Sequence, residues 1–230
     1  MGNLRGFSTH RDGGLTMVEL LVAMSVFSMA VVIAFSAIIT VVQQSRDAQR
    51  SADAQAELRL ALAQIDRQVR SGNVLFSPAD EDDWVGTCTA VGDYAGTCMR
   101  IYTQSNGEQK CVQWQLMVDP DADDPAMPTY LLRSRTWAPN WATGGALSDW
   151  GTVARGLHYD AGVTPPPFTL STALGVAGDP VTAYGDRMLV VHLESLDTRR
   201  NVPIAIDSSI TGRNTSYGYS SGQCTPVPPA

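Results

Sequence analysis

The sequence has no charged residue between Leu20 and Val42, and neither glycine nor proline between Leu15 and Ser71. The first absence excludes a solvated loop for that stretch; the second removes the residues that most often break a helix. An excess of positive charge is missing too, since the formal net charge is −7, which argues against nucleic acid as a partner by bulk electrostatics. Lysine is reduced to Lys110, the other fifteen of the sixteen basic residues being arginine. No Cys-x-x-Cys occurs, no histidine lies close in sequence to any of the four cysteines, and there is no phosphate-cradling glycine loop.

Catalytic patterns are equally scarce. Gly218-Tyr219-Ser220-Ser221-Gly222 satisfies the G-x-S-x-G spacing of hydrolases, but no helix pattern follows it and no histidine comes later in the chain. His10, His158 and His192 are isolated, and His192, between Val191 and Leu193 on a strand, is expected to face solvent. Nothing here asks to be an enzyme, and no cofactor is implied.

What is present is a long apolar run. From Leu20 to Val42 there are 23 uncharged residues, interrupted only by Ser25, Ser28, Ser36 and Thr40 among the apolar side chains. At about 1.5 Å per helical residue this spans roughly 35 Å, enough to cross a hydrocarbon core of about 30 Å. A secretory signal would be shorter and followed by an A-x-A-like exit; here the small residues Gly13-Gly14 stand before the run instead. Glu19 lies just inside the apolar boundary, where a carboxylate at membrane depth costs about 2.5–3.5 kcal/mol. Such a group needs a partner.

The stretch Gly14-Leu15-Thr16-Met17-Val18-Glu19 resembles the N-terminus of type IV prepilins and pseudopilins. The resemblance implies a leader ending at Gly14, a cut before Leu15, N-methylation of Leu15, and Glu19 as the fifth mature residue. Leu15 replaces the family's usual phenylalanine, and Asp12 is out of place in a normally basic leader. The competing junction Gly6-Phe7 fails, because five residues on it offers Arg11 and no apolar run. The implied partners are a prepilin peptidase, other pilin subunits and the inner-membrane assembly platform. The chain would cross the membrane once, with its head outside the cytoplasm, before joining a cell-surface filament. There Glu19 would meet the Leu15 amine of a neighbour, a charge pair that rewards register more than raw stability. Loss of the leader takes the charge to −8, since Arg5, Arg11 and Asp12 sum to +1.

The expected division is leader 1–14, filament-core half of a helix 15–42, amphipathic half 43–72 and β-rich head 73–230. Leu58, Leu62, Ile65 and Val69 recur at spacings of four, three and four, forming one apolar stripe, while Arg59, Asp66, Arg67 and Arg70 lie off it. This half should pack on the head, and Gly72-Asn73 should end it as a C-terminal cap. The fold class is therefore α+β, a long helix on an antiparallel sheet.

In the head, Asp80 to Asp83 make an acidic stretch expected to be solvated. Met99–Thr103 and Cys111–Val118 alternate around Asn106-Gly107, a hairpin signal. Val112, Trp114, Leu116 and Val118 point one way and Gln113 and Gln115 the other, so one face should be buried. Tyr130–Trp137 reads as a further strand, and a short one is expected near Val153–His158 within the long connection from Ala138 to Leu170. Arg187–Glu194 and Val202–Thr211 form a closing hairpin, with Pro203 at an edge. Asp119, Asp121 and Asp123 alternate as in a calcium loop, but the sixth position is not glycine and the twelfth is Tyr130, so an acidic turn is the better reading. Four cysteines in an extracytoplasmic segment read as two disulfides with three possible connectivities. Cys88 and Cys98 bracket a local loop, which leaves Cys111–Cys224 to tie down the tail.

The helix-then-meander order is similar to the minor pilins called PilW and to the J-type pseudopilins of type II secretion. A mature chain of 216 residues with an elaborated head suits a minor pilin that primes or caps a filament. The alternatives are a secretion pseudopilin, or a tip-displayed adhesin or DNA-uptake pilin.

Overall fold

The structure, a computed structural model, describes residues 14, 16–78, 81, 96–105, 107–122, 128–171, 188–197, 202–212 and 222–229. The leader before Gly14, together with Leu15, Asp80, Cys88, Asp123 and Ser220, lies outside the described residues. Helix α1 runs Met17–Ser71. The chain separates into two compact units, residues 1–50 and 51–230.

In the first unit α1 carries its apolar side chains outward: Phe27 is 69% exposed and Ile33 64%. By length and composition this is a candidate membrane span. Its four hydroxyls turn back on the helix. Ser25 Oγ donates to Val22 O, Ser28 Oγ to Met24 O and Ser36 Oγ to Ile33 O, each at 2.8 Å, and Thr40 Oγ1 donates to Ser36 O at 2.9 Å. A helix whose hydroxyls are satisfied internally presents no unmet donor to lipid.

The second unit holds the rest of α1 and an eight-stranded antiparallel sheet. Its strands are β1 Gly72–Leu75, β2 Cys98–Ser105, β3 Glu108–Val118, β4 Tyr130–Trp137, β5 Gly151–His158, β6 Phe168–Ser171, β7 Met188–Asp197 and β8 Val202–Thr211. The spatial order is β1-β2-β3-β4-β5-β7-β6, with β8 on the other side of β7. The β2–β3 hairpin closes at Ser105↔Glu108, and Gly107 supplies its positive φ of 80°. Pro203 falls on β8, which pairs with β7, in an edge position that needs no ladder donor.

Leu58, Ala61, Ile65 and Val69 of α1 are buried, with Leu62 partly so, in one cluster with Ile101, Val112, Trp114, Leu116, Leu132 and Leu189. The stripe thus packs on the sheet as expected. Helix α1 passes into β1 without a left-handed cap. Gly72 is needed instead for close approach, since a Cβ there would stand 2.8 Å from Ile101 Cγ2. Ser71 O accepts from Thr103 Oγ1 at 2.7 Å, so a neighbouring strand meets the last helical carbonyl.

Burial of one sheet face alone does not hold. Gln113 and Gln115 are as buried as Val112 and Trp114. A second cluster of Phe76, Tyr102, Cys111, Trp137 and Cys224 covers that other face, with Val74, Trp141 and Val227 packed on it. The stretch expected to be solvated is corrected at Glu81, which is buried and ion-paired to Arg100 at 2.6 Å. His192 is likewise not turned to solvent; its side chain is 11% exposed and lies 2.6 Å from Asp207. Strands β1 and β6, four residues each, are too short to show a period in the sequence.

Candidate processing and assembly site

Gly14 is exposed, outside any helix, and has nothing within 4 Å of where a side chain would start. Thr16 follows as the N-cap of α1: its Oγ1 accepts from Glu19 N at 3.3 Å, and its carbonyl from Leu20 N at 3.1 Å. Glu19 is thereby fixed three residues into the helix, in the first turn, where unpaired N–H groups favour a negative side chain. Its side chain is exposed, and among the described residues it makes no ion pair. The structure therefore offers an accessible backbone at Gly14, a helix starting just after it, and a carboxylate with no partner yet among those residues.

The sequence reading passed over Thr16. Its signal was there, because Thr16-Met17-Val18-Glu19 has the T-x-x-E spacing of a capping box, in which the threonine oxygen takes the N–H of the fourth residue.

Residues 9–35 match the family model described as the prokaryotic N-terminal methylation motif. The chain carries a type IV prepilin-like methylation motif. The matched residues include Gly14, Leu15 and Glu19 and the first half of the apolar run. Such a motif implies processing by a prepilin peptidase. No curated protein and no solved structure matches the chain.

The head is closed by its tail. Cys111 and Cys224 form a disulfide. Cys98 is also disulfide-bonded, while its expected partner Cys88 lies outside the described residues. Around the tail, side chains from the sheet and from the β4–β5 connection take its carbonyls: Arg100 Nη1 donates to Cys224 O at 3.2 Å and Trp141 Nε1, in the 3-10 turn Trp141–Thr143, to Pro226 O at 2.6 Å. Arg135 donates to Pro228 O and Pro229 O, both at 2.6 Å, and to Gln113 Oε1 at 2.9 Å. Proline lacks an N–H, so such a segment cannot join a ladder as a strand and is held through its carbonyls. Trp150 lies against the guanidinium groups of Arg133 and Arg135, at 4.1 and 4.3 Å from its ring centroid. Burial and the charge of Arg133 draw Arg135 down to about 10, leaving it a cation at neutral pH.

Two of the acids weighed for calcium are balanced by an arginine. Arg155 Nη1 reaches Asp119 Oδ1 at 2.8 Å and Asp121 Oδ2 at 3.2 Å, and Asp119 Oδ1 also accepts Asp121 N at 3.0 Å. The hydrogen bond and charge of Asp119 raise Arg155 above the ordinary arginine value.

Proposed function

We propose that the chain is cut between Gly14 and Leu15, N-methylated at Leu15, and assembled as a minor subunit of a type IV pilus or related filament, where it primes or caps. The observation that carries this is the run from Gly14 to Glu19 ahead of an apolar helix whose side chains are exposed. Such a helix needs either lipid or sister helices around it. Glu19, unpaired among the described residues, supplies the charge that a neighbour's new Leu15 amine would meet. The head supports a minor rather than a bulk role: it has an eight-stranded sheet and a disulfide-tied tail, more than a thin repeating subunit requires. The β1 to β5 meander after the helix fits the PilW and J-type comparison. On this reading residues 1–14 are the leader, 15–42 the filament core, 43–72 the amphipathic half and 73–230 the head. With Cys111 and Cys224 joined, Cys88 is the remaining partner for Cys98.

Mass spectrometry of the protein recovered from cells should find Leu15 first and carrying one extra methyl group. A chain beginning at Met1, or downstream of Val42, sinks the proposal. Glu19→Ala should still be cut but fail to enter filaments; normal incorporation of that variant removes the charge-pairing role.

A further inference from the structure

Residues 225–229 lie beyond the Cys111–Cys224 bridge and belong to no strand or helix. They are seated in a groove on the second face of the sheet. Trp141 Nε1 takes the carbonyl of Pro226, while the two Nη atoms of Arg135 take those of Pro228 and Pro229 separately. Between these grips the Val227 side chain packs on the cluster of Phe76, Tyr102, Cys111 and Trp137. Arg135 is itself set in place by two indole rings, 4.3 Å from the Trp150 centroid and 5.6 Å from that of Trp137, and by Gln113.

The two sides of this contact are unequal. Pro226 and Pro229 are exposed, and proline has no N–H, so a tail released to water strands no polar group. The groove has more to replace. Arg135 is 4% exposed, and without the tail two of its nitrogens and Trp141 Nε1 lose their acceptors while the apolar floor under Val227 opens to water. A covering segment is therefore favoured, but not this one in particular. The groove reads the positions of three carbonyls and one apolar side chain, which other extended proline-rich segments also present; aromatic-lined grooves are where such segments dock.

We infer that this groove is a recognition site for an extended proline-rich segment of a partner protein, and that the tail is a tethered strap covering it until such a segment displaces it. Cys224 holds the strap at one end, so a released tail stays beside the groove and competes at about millimolar effective concentration. The tether also favours the tail's own groove over that of a second copy, because Cys111 and Cys224 both belong to the cluster on which Val227 sits.

The test uses the full chain in detergent and an amidated, fluorescein-labelled peptide, Thr-Pro-Val-Pro-Pro, followed by anisotropy. A full-length variant carrying Pro226→Gly, Val227→Gly, Pro228→Gly and Pro229→Gly, which leaves the disulfide in place, should bind the peptide saturably. The intact chain should bind it at least about tenfold more weakly, because its own strap competes. Adding Trp141→Phe to the glycine variant should weaken binding about threefold or more through loss of one donor, and a Thr-Gly-Val-Gly-Gly peptide should not bind. In the intact chain, which covers the case in which the glycine variant fails to fold, excess unlabelled peptide should speed trimming of the tail by a carboxypeptidase, read by mass spectrometry. Trimming that peptide leaves unchanged overturns the proposal. So does a folded glycine variant that binds no peptide, binding as tight in the intact chain, or binding indifferent to Trp141→Phe. A dimer of the intact chain that disappears with the glycine substitutions assigns the groove to a second copy and overturns the partner.

Discussion

A carboxylate at the head of an apolar helix is a cost that Glu19 reduces locally. Thr16 fixes the helix start, and the first-turn N–H groups lie beside the negative charge. Thr16→Ala should loosen this turn by about 1 kcal/mol, with Thr16→Ser close to wild type. Amide exchange at Glu19 in micelles reads the difference. Both residues of the pattern were open to a reader of the sequence, because capping acts over three positions. Glu81 was not: its partner Arg100 is 19 residues away, and only the fold brings them to 2.6 Å. Arg135 is a similar case, since its acceptors Pro228 and Pro229 lie more than ninety residues on. Arg135→Met should cost about 2–4 kcal/mol in denaturant unfolding, because two tail carbonyls and Gln113 lose their donor.

Among the elements, α1 was legible because its signal is long: an unbroken chargeless stretch, then four apolar residues at helical spacing. Leu58→Ala and Ile65→Ala should each cost about 2–5 kcal/mol in unfolding of the full chain in detergent, since both side chains are buried in the core. Leu60→Ala, where the side chain is 65% exposed, should stay within about 0.5 kcal/mol. The end of α1 was right in place and wrong in cause. Gly72 is there for contact with Ile101, so Gly72→Ala should cost about 1–3 kcal/mol through overpacking, although the backbone there is not left-handed. The strands at β2, β3, β4, β5, β7 and β8 were visible as alternation or turn signals. What alternation could not tell was the cover on the second face, because glutamine and arginine beneath a proline-rich tail look like solvent-facing residues.

At the scale of the whole molecule, the Cys111–Cys224 bridge joins residues 113 positions apart. Closing so long a loop restricts the unfolded chain, and Cys111→Ser should cost roughly 3–5 kcal/mol. Thermal unfolding measures the loss, and faster proteolysis near Cys224 would place it at the tail. The pairing was readable from an even cysteine count and the local loop; the carbonyl grip of Arg100, Arg135 and Trp141 that goes with it was not. The hydroxyls of Ser25, Ser28, Ser36 and Thr40 have a different reach. Because each is already engaged by its own helix, exchanging lipid tails for protein neighbours breaks none of these bonds. On the proposed assembly route the rod would leave the bilayer with these hydroxyl bonds unchanged, and the work of extraction would fall on apolar contact and on Glu19.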